Sequence, residues 1–176
     1  MTRAVFLDRD GVINASVVRD GKPYPPESVE AMVVLPGVVE ATQALSRAGF
    51  RLVVITNQPD VATGRQRREV VDAIHARLQV LMPLDDIRVC VHTDADRCDC
   101  RKPKPGMLLA AARDGDIDLA RSFMVGDRWR DIEAGRAAGC RTVLVGPGYE
   151  ERRAEGYDAA VASLAEASAW ILSQQD

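Results

Sequence analysis

The sequence contains no apolar run that approaches the roughly 20 residues needed to cross a bilayer as a helix. It also lacks an excess of positive charge, because its formal net charge is −3 at pH 7, and aromatic residues make up only 5% of the chain. A nucleic-acid-binding surface needs a basic stripe, commonly with aromatic residues between the cations, so both shortages argue against such a partner. A secretory signal has a charged segment followed by an apolar one, and the N-terminus does not show this pattern. We therefore expect a cytoplasmic protein with no membrane or nucleic-acid partner.

Cysteine and histidine are also scarce, yet most of them lie in one short segment. This segment holds three thiols and one imidazole, at Cys90, His92, Cys98 and Cys100. Together they are a complete tetrahedral ligand set for structural zinc, although incidental buried cysteines are the alternative. Because the set leaves no position for water or substrate, the predicted role of Zn²⁺ is to fix the loop at residues 90–100. Cys140 stands apart, and we interpret it as a small core residue.

Apolar, β-branched runs alternate with helical patterns along the 176 residues. The predicted strands are residues 4–7, 52–55, 89–91, 123–125 and 142–145. The predicted helices are residues 37–48, 65–81, a segment beginning at Pro105, 129–138 and 164–172. This alternation predicts the α/β class, with a parallel Rossmann-like sheet flanked by helices on both faces. We expect one domain over residues 1–176, carrying the zinc-binding loop and no large cap domain.

Some details of these elements carry separate expectations. Thr63 is placed to cap the helix at 65–81. His75 lies in the middle of that helix among Arg and Ala, and the sequence assigns it no role. The proline-containing stretch 14–35 is interpreted as a surface excursion that could line or cover a site.

Polar residues follow directly on three of the predicted strands. They are Asp8, the pair Thr56-Asn57, and the pair Gly126-Asp127. In a doubly wound sheet, ligands bind at the carboxyl ends of the strands. The three clusters are therefore expected to meet at one edge of the sheet.

Asp8 and Asp10 are two residues apart at the end of the first strand. Two carboxylates this close repel each other unless a cation sits between them, and Mg²⁺ prefers such hard oxygen ligands. A carboxylate beside that ion can attack phosphorus, and a second one can move the proton to and from the reacting oxygens. The alternative is a solvated turn, since Asp-Gly pairs commonly form turns.

The other candidate residues have both a functional and a plain interpretation. Thr56 and Asn57 offer donors to a phosphoryl oxygen, or they are strand-end turn residues. Arg101 and Lys102 would place positive charge where a phosphoryl group gains negative charge, or they belong to a solvated basic loop. Asp131 would serve the positive end of the helix at 129–138. Asp127 follows its strand directly and is better placed to reach a metal.

The segments Phe6-Leu7-Asp8-Arg9-Asp10-Gly11, Thr56-Asn57-Gln58, Lys102 and Gly126-Asp127 with Asp131 resemble, in type and order, the haloacid-dehalogenase superfamily of phosphotransferases. The resemblance runs from about residue 3 to residue 146. It implies that Asp8 is the nucleophile and Asp10 the general acid and base. It also implies that Mg²⁺ is held by Asp8, the backbone carbonyl of Asp10 and the Asp127 carboxylate. Lys102 matches the lysine that neutralises charge around the nucleophile and the phosphate.

The zinc loop and the following Cys-Arg-Lys-Pro-Lys-Pro-Gly-Met resemble two branches of that superfamily, the heptose bisphosphate phosphatases and the histidinol-phosphate phosphatases. A bisphosphate needs cations beyond those that serve the reacting phosphate, and Arg19 and Arg128 are near the expected site loops. Arg128 also matches a substrate-contacting basic position of the heptose branch. The expected substrate is thus a small sugar phosphate, most of all heptose 1,7-bisphosphate. Histidinol phosphate or another small ester is the alternative, and a monomer is expected.

Overall fold

The computed structural model describes residues 1–174. Within that part of the chain the strands are β1 (Arg3–Leu7), β2 (Val17–Arg19), β3 (Lys22–Tyr24), β4 (Phe50–Asn57), β5 (Asp86–Cys90), β6 (Phe123–Gly126), β7 (Arg141–Val145) and β8 (Ala159–Val161). The helices are α1 (Val38–Arg47), α2 (Arg68–Leu81), α3 (Gly106–Gly115), α4 (Trp129–Ala138) and α5 (Leu164–Ser173). Six strands form one sheet in the order β5-β4-β1-β6-β7-β8, and every neighbouring pair is parallel. The predicted α/β class and parallel sheet are confirmed.

The central strand β1 is buried on both faces, which explains its uninterrupted apolar sequence. Val5 and Leu7 pack into a core cluster that includes residues of α1, α2 and α5. Ala4 and Phe6 point to the other face, where they join residues of α3 and α4. The alternation of side chains along the strand therefore divides the core into two layers, with helices on both faces as predicted.

Among the predicted elements, α2 and β5 differ most from expectation in where they begin. Helix α2 begins at Arg68 and not at residue 65, because Arg67 has an extended backbone at the N-cap position. Thr63 does not cap the helix; its hydroxyl donates to the carbonyl of Asp60 within a turn. The strand expected at 89–91 is β5, which starts earlier at Asp86. Strand β8 was not predicted, since its three residues, one exposed and two half-buried, are too few to give a clear pattern.

The stretch 14–35 contains the antiparallel hairpin of β2 and β3. Its turn residues Asp20 and Gly21 both have positive φ, of 50° and 69°, which suits a two-residue hairpin turn. The backbone N–H of Glu150 donates to the carbonyl of Gly21, so the hairpin contacts the loop after β7. Apart from this hairpin, residues 1–174 contain no inserted folded unit above the sheet edge, in agreement with the expected absence of a large cap domain.

The extent of the domain stays a prediction, and its last two positions, 175 and 176, lie outside the described residues. No helix within residues 1–174 has the length and apolar character to span a membrane.

Candidate active site

The carboxyl ends of β1, β4 and β6 meet at one edge of the sheet, where a cavity opens. The predicted site residues that line this cavity are Asp8, Asp10, Asn57, Gln58, Arg101, Lys102, Arg128 and Asp131. Thr56 lies buried beside it, and its hydroxyl oxygen accepts a hydrogen bond from Gln58 Nε2 at 2.9 Å. Register explains this convergence, because β1 pairs in parallel with both β4 and β6.

Three buried carboxylates meet beside the cavity. Asp8, Asp127 and Asp131 each offer an oxygen within 4.8 Å of the others. Burial and the charge of Asp8 raise the pKa of Asp131 to about 6, although Lys102 opposes that shift. Burial, followed by the charges of Asp8 and Asp131, raises the pKa of Asp127 well above its usual value. This crowding of negative charge is what a divalent cation would relieve.

Only one of the two carboxylate oxygens of Asp127 has a hydrogen-bond partner among the described residues. The hydroxyl of Tyr149, in the loop after β7, donates to Asp127 Oδ2. Asp127 Oδ1 is buried and has no hydrogen-bond partner among the described residues. Gly11 has a φ of +88°, and a Cβ there would lie 1.9 Å from Asp127 Oδ2. Only glycine therefore allows this close approach between the β1 loop and the Asp127 carboxylate.

The Lys102 side chain bridges two of the carboxylates. Its Nζ donates to Asp8 Oδ1 at 2.7 Å, to Asp131 Oδ1 at 2.6 Å and to the carbonyl of Ile55 at 2.8 Å. Burial disfavours the ammonium form, but Asp131 and Asp8 outweigh it and raise the pKa of Lys102 above its usual value. Lys102 is thus a fixed positive charge in contact with Asp8.

The Lys102 loop is anchored to β4 by Asn57. Asn57 Nδ2 donates to the carbonyl of Lys102 at 3.1 Å, and its Oδ1 accepts from the Lys102 N–H at 3.1 Å. Both polar atoms of the Asn57 amide are therefore engaged by the protein. In this geometry Asn57 positions Lys102.

The Asp10 carboxylate is surrounded by donors. Arg9 binds it through Nε and Nη2, at distances from 3.0 to 3.2 Å. Asn14 Nδ2 donates to Oδ1 at 2.9 Å, and Gln58 Nε2 donates to Oδ2 at 2.8 Å. The remaining Arg9 nitrogen, Nη1, lies 3.0 Å from His75 Nε2.

Sequence reasoning missed Arg9, His75 and Tyr149. His75 falls on the apolar stripe of α2 with Val71, Ile74 and Leu78 and is buried like them, so its position in the helix was a usable signal. No spacing in the sequence connects Tyr149 with Asp127.

The arginines predicted to bind substrate, Arg101, Arg128 and Arg19, differ in their ion-pair partners and in the opening that they line. Arg101 Nε donates to Asp94 Oδ1 at 2.9 Å, and Arg130, which was not predicted, also pairs with Asp94 and lines the cavity. Arg128 forms an ion pair with Glu151. Arg19 is exposed, pairs with Glu27 at 2.6 Å, and lines a neighbouring opening instead of the cavity that contains Asp8.

The loop that precedes Arg101 brings together the four predicted zinc ligands. The Sγ atom of Cys100 lies 3.0 Å from that of Cys90 and 3.5 Å from that of Cys98, and His92 Nδ1 lies 3.3 Å from Cys100 Sγ. The four ligand atoms all lie within 4.8 Å of one another, which is close enough for them to share one metal ion. Cys140 lies elsewhere in the core, where burial raises its pKa to about 12.

The sequence matches the HAD-hydrolase-like family model over residues 99–167. It is 41% identical over 158 residues to the D-glycero-beta-D-manno-heptose-1,7-bisphosphate 7-phosphatase of Pseudomonas putida, with 87% of each chain covered. It is 38% identical over 169 residues to the D-glycero-D-manno-heptose-1,7-bisphosphate 7-phosphatase of Thermosynechococcus vestitus, with 87% of this chain and 83% of that protein covered.

The fold is similar to the crystal structure of the D,D-heptose 1,7-bisphosphate phosphatase from B. bronchiseptica, which was obtained in complex with magnesium and phosphate. The TM-score is 0.84 at 33% sequence identity, and the match covers 98% of this chain and 99% of that one.

Proposed function

The chain belongs to the D-glycero-D-manno-heptose-1,7-bisphosphate 7-phosphatase family of haloacid-dehalogenase-like hydrolases, and from this premise we propose that it removes the 7-phosphate of D-glycero-D-manno-heptose 1,7-bisphosphate. It is a phosphoric monoester hydrolase. The observation that carries the proposal is the Asp8 carboxylate, which faces the cavity while Lys102 Nζ lies 2.7 Å from its Oδ1. A carboxylate held next to a fixed cation is suited to attack a phosphate ester.

In the proposed reaction, an oxygen of Asp8 attacks phosphorus while the bond from phosphorus to the sugar oxygen breaks. Asp10 donates its proton to that leaving oxygen, which departs as the alcohol. Water then attacks the phosphorus of the aspartyl-phosphate and gives a proton to Asp10. The bond between phosphorus and the Asp8 oxygen breaks, so inorganic phosphate leaves and both carboxyl groups return to their starting state.

The residues present fit Mg²⁺. Asp8 and Asp127, with the backbone carbonyl of Asp10, would hold it, and the buried Oδ1 of Asp127 is an oxygen without another partner among the described residues. When bound, the ion supplies positive charge to the phosphoryl oxygens. Lys102 supplies further positive charge from the side of Asp131.

The residues of the loop 90–100 fit Zn²⁺ with a structural role. Three sulfur atoms and one imidazole nitrogen leave no open ligand position, so this ion would take no part in the reaction. Its effect would be to order the backbone that leads directly into Arg101 and Lys102.

The charges around the cavity support a substrate with more than one phosphate. Arg101, Arg128 and Arg130 line the cavity together with Lys102. Arg128 is balanced by Glu151, and the other two arginines share Asp94, so the three arginines and these two carboxylates together keep one positive charge. Asp60 also lines the cavity and could meet an ammonium group, which is why histidinol phosphate is the comparison substrate.

The test is a comparison of kcat/KM for heptose 1,7-bisphosphate and histidinol phosphate in the presence of Mg²⁺. We expect at least a 10-fold preference for the bisphosphate, since a lost charged hydrogen-bonded contact typically costs about 1.5–3 kcal/mol. Asp8→Asn should release no phosphate from either ester above background. A preference for histidinol phosphate would overturn the substrate, and full activity of Asp8→Asn would overturn the mechanism.

A further inference from the structure

The hydrogen bonds of Arg9 connect α2 with the proposed proton-transferring residue. The Arg9 guanidinium is fully buried, whereas 16% of the Asp10 side chain stays exposed toward the cavity. One edge of the guanidinium, Nε and Nη2, binds the Asp10 carboxylate. The opposite nitrogen, Nη1, contacts His75 Nε2 at 3.0 Å. The plane of the guanidinium is therefore fixed from two sides.

The contact between Arg9 and His75 also defines the state of the imidazole. A guanidinium only donates hydrogen bonds, so His75 Nε2 is the acceptor and the ring proton is on Nδ1. Burial and the positive charge of Arg9 lower the pKa of His75 to about 4, which keeps the ring neutral near pH 7. A neutral acceptor orients Arg9 and does not compete with Asp10 for the positive charge of Arg9. A carboxylate in the same place would compete for that charge.

We propose that His75 is a positioning residue for Asp10. It acts through Arg9 and orients the Asp10 carboxyl group toward the leaving sugar oxygen, which accepts the proton of Asp10. This inference rests on the proposed function, in which Asp10 is the general acid and base. Asn14 and Gln58 bind the two oxygens of the same carboxylate from other sides. His75 adds the constraint that fixes Arg9, the residue with the most contacts to Asp10.

The proposal makes a prediction that depends on the leaving group. A sugar hydroxyl is a poor leaving group and needs the proton of Asp10, whereas p-nitrophenolate leaves without one. Loss of the His75 acceptor should therefore reduce kcat/KM selectively for the sugar phosphate. A purely structural role in the core would reduce both reactions by the same factor.

The experiment measures kcat/KM for heptose 1,7-bisphosphate and p-nitrophenyl phosphate with His75→Leu and His75→Gln. We expect His75→Leu to lose ~10-fold or more on the sugar phosphate and less than ~3-fold on the aryl phosphate, because general acid catalysis contributes about 10²–10⁴-fold in total. His75→Gln places an amide oxygen where Nε2 was, so it should recover most of the lost activity. His75→Asn, whose amide is too short to reach Arg9, replaces His75→Leu if that variant does not fold.

Two controls make the result specific. Ile74→Val changes the adjacent buried residue of α2 and should alter both reactions by equal factors. In an Asp10→Asn background, His75→Leu should cause no further loss on either ester. Equal losses on the two esters with His75→Leu, or no loss, would overturn the inference while leaving the proposed function intact. Failure of the unaltered protein to hydrolyse either ester would instead count against the proposed function.

Discussion

The ammonium group of Lys102 lies between the carboxylates of Asp8 and Asp131, and all three side chains are buried. Removing one partner from a buried ion pair typically costs about 3–5 kcal/mol, because it leaves an uncompensated charge. Lys102 contacts two of the three clustered carboxylates, and Asp127 has no such cation beside it among the described residues. At the scale of single residues, the site is therefore organised around charges that are only partly balanced by the protein.

Gly11 allows one of those carboxylates to approach the β1 loop, and its replacement tests this contact. In Gly11→Ala, the new Cβ would lie 1.9 Å from Asp127 Oδ2, so Asp127 must move. We expect Mg²⁺ binding, measured by titration calorimetry, to weaken ~10–100-fold, as for other changes that displace a metal ligand.

Gly49→Ala is the matched control for this substitution. Gly49 has nearly the same φ, +86°, but a Cβ there would meet nothing within 4 Å. It should lose only about 1 kcal/mol of stability through backbone strain, with Mg²⁺ binding unchanged. Equal Mg²⁺ affinities for the two variants would contradict the assigned contact.

Side chains at strand ends could be predicted from the sequence, and side chains that meet them from elsewhere could not. Asp8 and Asp127 follow apolar strands directly, so a parallel sheet brings them together. His75 and Tyr149 reach the same site from a helix and a late loop, and their contacts depend on packing angles that no local pattern contains. Arg19 shows the reverse case. It was expected at the site because it is near the site loops in the sequence, but in the structure it lines a neighbouring opening.

The segment between β5 and α3 carries two of the four cationic side chains that line the cavity, Arg101 and Lys102. It contains three of the four predicted zinc ligands, and the fourth, Cys90, is the last residue of β5. Asp94 within the segment binds both Arg101 and Arg130. Asn57 of β4 fixes the same segment at Lys102. The segment thus has two attachments, a hydrogen-bonded one to the sheet and a proposed metal-bound one within the loop.

Replacing one zinc ligand tests the second attachment. Cys98→Ser should lower the metal content from about one zinc ion per chain and reduce phosphate release by ~10-fold or more, although Cys98 does not line the cavity. Cys140→Ser, a change of the buried cysteine outside the loop, should retain zinc. Zinc content and phosphate release would be measured on the same preparations. Unchanged values for Cys98→Ser would rule out this role of the loop.

Elements differed in how well the sequence predicted them. Long apolar strands such as β1 and β4 were predicted within a few residues, because burial on both faces leaves a continuous apolar run. The hairpin of β2 and β3 was missed, since its residues are mostly exposed and its signal is a single Asp-Gly turn. The start of α2 was misplaced because no side chain caps it.

For the whole molecule, the sheet edge is left open between the hairpin and the zinc loop. Within residues 1–174, the hairpin of β2 and β3 is the structured insertion between β1 and α1. Tyr24 and Pro25, at its end, line the same cavity as Arg101 and Lys102. We infer that a substrate would contact both the hairpin and the zinc loop. The monomeric state stays a prediction from sequence.

The central claim is that Asp8 carries the phosphoryl group during turnover, and rapid quenching followed by peptide mass analysis tests it directly. The measurement uses Asp10→Asn with p-nitrophenyl phosphate and Mg²⁺, since this ester needs no proton to react but the intermediate needs Asp10 to hydrolyse. We predict a phosphoryl group on Asp8 that is absent from the Asp8→Asn, Asp10→Asn double variant. A phosphoryl group on another residue, or release of nitrophenol by the double variant at the same rate, would contradict the claim.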